Sequence, residues 1–110
     1  MIYEYLLIFI SSYEYGYGHE KRLSLLKKLL NKKNKKCKLI NVCNFKNEKS
    51  SVFKYSKLSN QLIIDVTNRN FLKDNKEFLV FIKGIASKKK IIVFDSFDKY
   101  SIKKNIEKGK

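Results

Sequence analysis

The sequence is poor in the residues from which metal centres and disulfide frameworks are built. Its 110 residues include one histidine and two cysteines, with no proline and no tryptophan. On one strand, Cys37 and Cys43 would lie about 20 Å apart at roughly 3.3 Å per residue, which exceeds disulfide reach. Because there is no CxxC pair and no second histidine, we expect no zinc site. We therefore predict no metal, no cofactor, and two ordinary buried or half-buried thiols.

Arginine is scarce although the chain is strongly basic. The formal net charge is +15, yet among 25 basic residues only Arg22 and Arg69 are arginine. Such a charge first indicates nucleic acid or an anionic membrane. Arginine is the usual contact for phosphates and bases, however, and the abundance of lysine, asparagine and isoleucine is typical of A/T-rich coding. We interpret the lysines as a solvated surface and expect no nucleic-acid partner. A noncatalytic lysine-rich module that binds nucleic acid or a protein is the alternative.

Long apolar runs are also missing. The run LLIFI at 6–10 is far too short to span a bilayer. It has neither the basic flank nor the small-residue cleavage site of a signal peptide. With 44% hydrophobic residues, the chain can still bury a core of its own. We expect one small cytoplasmic domain without a membrane partner.

The order of apolar runs and helical stripes predicts an α/β fold. Strands are predicted at 5–11, 37–43, 61–66 and 90–95, and helices at 19–32 and 71–87, the second capped by Asn70, with at most a short helix around 51–58. The first, third and fourth strands do not alternate, which is typical of strands buried on both faces of a parallel sheet. The prediction is a small Rossmann-like α/β sandwich of about four parallel strands over 1–104, with a polar tail at 105–110.

Polar side chains follow the predicted strands at the edge where such sheets bind ligands. The first strand leads into the loop SSYEYGYG, the third ends at Asp65, and the fourth ends at Asp95. The carboxyl ends of parallel strands share one edge, so we expect the loop and both acids to converge there. Loop entry and helix capping are equally open as roles for these acids.

The loop places two of the four glycines directly before the only histidine. Gly16 and Gly18 permit positive φ and a close approach of a ligand to the backbone. The helix behind them directs N–H groups and a positive dipole end toward an anion. Lys21 occupies the position of the third glycine of a dinucleotide fingerprint, so that motif is not present. The tyrosines at 13, 15 and 17 either stack on a sugar or base or shield the loop.

His19 begins the predicted helix on the same stripe as Leu23. A helix N-terminus disfavours imidazolium, so we predict a neutral histidine able to accept a proton at the strand ends. A histidine that only caps or packs the helix is the alternative. Arg22, three residues later, is predicted to hold a phosphate or to pair with Glu20 or Asp65.

Two blocks of the chain resemble a known family. IFISSYEYGYGHEKRLSLLKKL at 8–29 is similar to the N-terminal segment of the UDP-sugar hydrolases of pseudaminic acid biosynthesis. In that family a strand is followed by a G-[FIL]-G-H-x-x-R loop and an apolar helix. LIIDVTNRNFLKDNKEFL at 62–79, followed by KKIIVFDSFDK at 89–99, resembles the family's later strand, helix and strand, with IID and VFD at the strand ends.

The resemblance implies the N-terminal half of a two-domain, glycosyltransferase-B-like hydrolase. Such an enzyme hydrolyses a nucleotide-linked amino sugar and releases UDP. His19 matches the histidine regarded as the general base that activates water. The predicted substrate-binding residues are Gly16, Tyr17, Gly18, Arg22, Asp65 and Asp95, and all of them except Tyr17 match positions of the family pattern.

The chain also departs from the family pattern. The segment 44–60 is shorter, and Ser96 stands where a second acid is usual. The C-terminal domain that grips the nucleotide is absent from these 110 residues, so we expect a fragment, half of a split enzyme or an inactive remnant. A second domain or subunit is the expected partner besides a nucleotide sugar. A response-regulator-like signalling domain is disfavoured, because SSYE provides no acid pair after the first strand.

Overall fold

The chain alternates between strands and helices in the order that a parallel α/β fold requires. The computed structural model describes residues 2–66 and 69–94. Its elements are β1 (Tyr3–Phe9), α1 (Gly18–Lys32), β2 (Cys37–Asn41), α2 (Phe45–Lys57), β3 (Ser59–Asp65), α3 (Arg69–Asp74), α4 (Lys76–Ala86) and β4 (Lys90–Phe94). The alternation confirms the predicted α/β class.

The four strands form one parallel sheet in the order β2-β1-β3-β4. Leu7 of β1 lies between Leu39 of β2 and Ile63 of β3, and Ile63 in turn pairs with Ile92 of β4. The central strands β1 and β3 carry continuous apolar runs because helices cover both of their faces. The sheet is consistent with the small Rossmann-like domain that the sequence predicts.

The two faces of the sheet bury separate apolar clusters. On one face, Leu6, Ile8 and Ile64 belong to a cluster with side chains from α2, α3 and α4. On the other, the cluster contains Leu7, Ile63 and side chains of α1. Helix α1 is therefore the one described helix on its face, and the other three described helices share the opposite face.

The prediction that the fourth strand is buried on both faces is wrong. Along β4, Lys90, Ile92 and Phe94 are exposed, while the two residues between them are partly buried. The strand lies at the edge of the described sheet, and α1 shields mainly the strands nearer to it. The apolar sequence of β4 is therefore not evidence that both faces of this strand are buried.

The predicted helices differ from the observed ones after residue 44. Helix α2 spans 13 residues rather than a short helix around 51–58, because Phe45, Val52 and Ser56 form a buried stripe within a polar composition. The single helix predicted over 71–87 is two helices separated at Asn75, whose side chain donates to the carbonyl of Phe71 at 2.9 Å. Asn70 lies inside α3 and is not its cap.

The remaining sequence predictions concern the cysteines, the lack of a membrane-spanning segment and the polar tail. Cys37 is buried and Cys43 partly buried, both as free thiols, as expected, and burial raises the pKa of Cys37. Within residues 2–66 and 69–94, no helix has the length and apolar character needed to cross a membrane. The tail at 105–110 lies outside the described residues.

Candidate functional site

The carboxyl ends of β1 and β3 lie at the switch point near the centre of the sheet, where the topology of an open α/β sheet leaves a crevice. The chain leaves β1 through α1 on one face, and it leaves β3 toward α3 and α4 on the other. Neighbouring connections that diverge in this way leave the strand ends open between them. Ligands of open α/β sheets bind at such a switch point. The topology therefore directs attention to the residues that border this crevice.

The loop after β1 is held in a tight turn that needs a glycine. Ser12 and Gly16 form an isolated antiparallel bridge, with N–H···O distances of 3.2 Å and 2.8 Å. The Ser12 hydroxyl also accepts a bond from the N–H of Tyr15 at 3.1 Å. Gly16 has φ +83°, a conformation that side chains with a Cβ rarely adopt. The positive φ predicted for this loop is thus found at Gly16.

The start of α1 is open to solvent. Gly18 begins the helix without a positive φ, and a Cβ built there would meet nothing within 4 Å. Tyr17 directly precedes it, is 53% exposed and provides no side-chain cap. The first backbone N–H groups of a helix are orphan donors, and the dipole makes them favourable to anions. The N-terminal end of α1 can therefore receive an anionic group beside the crevice.

Asp65, the last residue of β3, is fully buried and bound by two side chains of α1. Its Oδ1 lies 2.8 Å from Nδ1 of His19 and accepts a bond from Nη2 of Arg22 at 2.6 Å. Its Oδ2 accepts a bond from Nε of the same arginine. The guanidinium thus grips the carboxylate at two points, which is the strong geometry for this pair. Of the partners predicted for Arg22, the structure selects Asp65.

The bond between His19 and Asp65 fixes which imidazole nitrogen is basic. A carboxylate has no proton to donate, so Nδ1 of His19 carries the hydrogen and donates it to Oδ1. In the neutral ring the lone pair is then on Nε2. Nη2 of Arg22 lies 3.4 Å from Nδ1, and because both atoms carry hydrogens this contact is not a hydrogen bond. The side chain of His19 is 15% exposed, so the ring is not fully sealed from solvent.

Arg22 neutralises the buried carboxylate. Its hydrogen bonds to Asp65 raise the pKa of the guanidinium, burial opposes that shift, and the charge of Asp65 adds to it. The side chain of Arg22 is 53% exposed, and its Cζ lies 5.8 Å from the ring centre of Phe94. The guanidinium of Arg22 and the carboxylate of Asp65 thus form a hydrogen-bonded pair of opposite charges beside the ring of His19.

A second polar cluster, not predicted from the sequence, fastens the beginning of the loop. Asn41, at the end of β2, accepts a bond from the N–H of Ser11 at 3.1 Å and donates to its carbonyl at 2.9 Å. It also accepts a bond from the N–H of Cys43. The Ser11 hydroxyl donates to Glu20 in the first turn of α1 at 2.8 Å. The sequence signal that could have identified this cluster is an asparagine near the carboxyl end of the predicted strand at 37–43.

The structure brings together part of the predicted site. His19, Arg22 and Asp65 form one bonded cluster, and Gly16, Tyr17 and Gly18 line the path from the loop to α1. The prediction for Asp95 falls outside the described residues. Among the described residues, no group of three or more His, Cys, Asp or Glu side chains is arranged to hold a metal ion.

Comparison of the chain with protein-family models, curated proteins and solved structures finds no match in any of the three. The resemblance to the UDP-sugar hydrolases therefore stays a prediction based on the quoted motifs.

Proposed function

We propose that this domain provides the catalytic base of a nucleotide-sugar hydrolase that releases UDP from an amino sugar. One observation carries the proposal: Nδ1 of the chain's only histidine lies 2.8 Å from a fully buried carboxylate at the switch point of the sheet. A histidine oriented by a buried acid is the recurrent arrangement of a general base. The substrate class rests on the likeness of GYGHEKR to the family loop.

In the proposed step, Nε2 of His19 takes a proton from water. The water oxygen forms a bond to the anomeric carbon while the bond from that carbon to the phosphate oxygen breaks. The leaving UDP keeps the electron pair of the broken bond, and His19 later returns the proton to solvent. Asp65 holds the ring through Nδ1 and stabilises the imidazolium, as the acid of a triad does.

Arg22 is a positioning residue in this mechanism. Its two bonds hold Asp65 in place. Part of its exposed charge remains available to a phosphate near the crevice. The open start of α1, next to Gly18 and Tyr17, is the proposed seat for the sugar or the diphosphate. A second α/β domain or subunit is expected to grip the nucleotide, as the family resemblance implies.

The first test needs only this chain. Because there is a single histidine, ¹⁵N labelling gives one unambiguous pair of imidazole resonances. We expect shifts typical of a proton on Nδ1, and we expect the Nε2 resonance to move when a UDP-linked N-acetylated amino sugar is added. Free amino sugar without the diphosphate is the control and should leave the resonance in place. Nitrogen shifts that place the proton of the neutral ring on Nε2 contradict the proposal.

The second test is UDP release in the presence of the complementary domain. His19→Ala should lower kcat by about 10²- to 10⁴-fold, the usual contribution of a general base. Lys21→Ala, an exposed change in the same turn of α1, is the matched control and should leave kcat within about twofold. Release that survives loss of His19 rules out the proposed mechanism.

A further inference from the structure

An apolar groove runs between α2 and α4 on the face of the sheet opposite His19. The two helices are joined near their beginnings by the pair of Lys49 with Glu77 at 3.5 Å. One turn later, the rings of Phe53 and Phe81 meet edge to face with their centres 4.9 Å apart. Beyond these contacts the surface opens into a groove of about 700 Å³. We call it the α2–α4 groove.

Two exposed apolar side chains lie side by side in the floor of the α2–α4 groove. Val80 is 69% exposed and Phe53 is 42% exposed, and both line the groove beside the partly buried Ile85. Single exposed apolar residues need no explanation, but a contiguous group in a concavity marks a binding surface. This group lies outside the crevice used in the proposed hydrolysis.

Gly84 contributes a position without a side chain to the lining of the groove. It lies inside α4 and has no positive φ, and a Cβ there would meet nothing within 4 Å. Backbone geometry and packing therefore both allow an alanine. A glycine in a helix interior costs about 0.5–1 kcal/mol relative to alanine. Its effect on the molecule is to leave free space beside Val80, one turn earlier on the same side of the helix.

The rim of the α2–α4 groove is positively charged. Lys57, Lys76 and Lys88 are exposed along it. Glu77 is the one acid among the residues that line the groove, and it is already paired with Lys49. The groove thus offers an apolar floor, and the ammonium groups of these three lysines on its borders form no ion pair with an acid in residues 2–66 or 69–94. The complementary ligand is apolar on one side and anionic on the other.

The shape and chemistry of the groove favour a protein segment over other anions. Small-molecule sites orient their ligands by a few fixed polar groups, whereas the groove lining consists of apolar side chains, one glycine, lysines and Glu77. Nucleic acid is bound through stacking faces and arginine, and the ring of Phe53 already packs edge to face with Phe81. A bilayer surface does not follow a concave floor. A helix of a protein partner, in contrast, can lie between α2 and α4 and contact the floor of the groove.

We propose that the α2–α4 groove binds an acidic amphipathic helix of a protein partner. Its apolar residues pack on Phe53 and Val80, and its carboxylates lie near Lys57, Lys76 and Lys88. From Lys49 to Lys57 the groove follows α2 for about 12 Å at 1.5 Å per residue, a length of roughly two helical turns. This proposal is independent of the hydrolase assignment.

The test measures binding of a fluorescent, synthetic amphipathic helical peptide of about four turns, with leucines on one face and glutamates on the other. We expect saturable binding at physiological salt. Val80→Asp should weaken it by about tenfold or more, as loss of a central apolar contact does. Leu29→Asp is the matched control, because Leu29 is 50% exposed on α1 and the added charge is the same. It should change affinity by less than about twofold.

A second variant separates the groove from charge alone. Gly84→Phe fills the free space without altering charge and should also weaken binding by about tenfold, with an unchanged circular dichroism spectrum. Three results would each overturn the proposal: no binding of the acidic peptide, equal binding of a peptide with lysines in place of glutamates, or affinity unaffected by both groove variants. Anionic vesicles or duplex RNA that bind through Val80 while the peptide does not would also overturn it.

Discussion

Asp65 is fully buried, although it is the last residue of β3, a strand whose carboxyl end borders the crevice. A carboxylate removed from water is costly unless it is paired and hydrogen-bonded. Here all of its described side-chain partners come from one turn of α1, since His19 and Arg22 are three residues apart. The same bonds that make its burial tolerable also orient the imidazole. Stability and the proposed chemistry therefore depend on the same atoms.

Replacing Asp65 by asparagine tests this dependence. The variant Asp65→Asn keeps the shape but removes the charge that Arg22 grips at two points. We expect the free energy of unfolding to fall by about 1–3 kcal/mol, the cost of a disrupted buried hydrogen-bonded group. Urea denaturation measures the change. Asp74→Asn, at an exposed acid in the last turn of α3, is the control and should lie within about 0.5 kcal/mol of the wild type. Equal effects at the two positions would argue against the buried pairing.

The two loop glycines are predicted to respond to alanine in opposite directions. Gly16→Ala places a Cβ on a residue with φ +83° and should destabilise the protein by about 1–2 kcal/mol. Gly18→Ala adds a Cβ in open space at the start of α1 and should stabilise it by up to about 1 kcal/mol. Thermal unfolding of both variants gives the comparison. Destabilisation of similar size in both would show that the loop geometry is misassigned.

At the scale of elements, Asn41 joins the end of β2 to the start of the loop after β1. Its side chain bonds both backbone groups of Ser11, so Asn41→Ala leaves an N–H and a carbonyl without their partner. Ser11 is only 6% exposed, which limits replacement by water. We expect a loss of about 1–3 kcal/mol in urea denaturation. Asn47→Ala, at an exposed position of α2, should cost less than about 0.5 kcal/mol. A cost at Asn41 no larger than at Asn47 would refute this role.

Local sequence signals predict the elements that carry a continuous apolar run or a clear apolar stripe. The apolar runs predict β1 and β3, the apolar stripe predicts α1, and Asp65 is one of the partners that the sequence predicts for Arg22. Helix α2 was underestimated because its buried positions, Phe45, Val52 and Ser56, are separated by lysines and serines. The exposure of β4 depends on which helix lies above it. That is a tertiary property, and periodicity does not encode it.

The residues of the candidate site also divide into those that local sequence signals identify and those that only tertiary contacts reveal. The GYGHEKR loop identified His19 and Arg22 from local pattern, and the end of a strand identified Asp65. Asn41 was missed because its partner, Ser11, is 30 residues away and meets it only when β1 and β2 pair. The α2–α4 groove likewise arises from the spacing of two helices on one face of the sheet. Contacts between distant segments were the part that composition and spacing did not reveal.

At the scale of the whole molecule, positive charge is distributed over both sides of the sheet. Exposed lysines lie on α1, which covers one face, and on α2 and α4, which cover the other. Of the two arginines, Arg22 is bonded to Asp65. A nucleic-acid site instead concentrates cations along one face and uses arginine for its specific contacts. Apart from the lysines on the rim of the α2–α4 groove, the distribution supports the interpretation of the lysines as a solvated surface.

This distribution predicts weak, diffuse binding to nucleic acid. A short RNA duplex should bind at low salt through counterion release and weaken steeply as salt rises, with a Kd in the nonspecific range of about 10⁻⁴–10⁻⁶ M at physiological salt. Lys28→Glu on α1 and Lys83→Glu on α4 remove the same charge from opposite faces. If no single face binds the duplex, the two variants should weaken binding by similar, small factors in a salt-dependent anisotropy titration. A nanomolar Kd at physiological salt that only one of the two reversals abolishes would instead locate a dedicated footprint on that face.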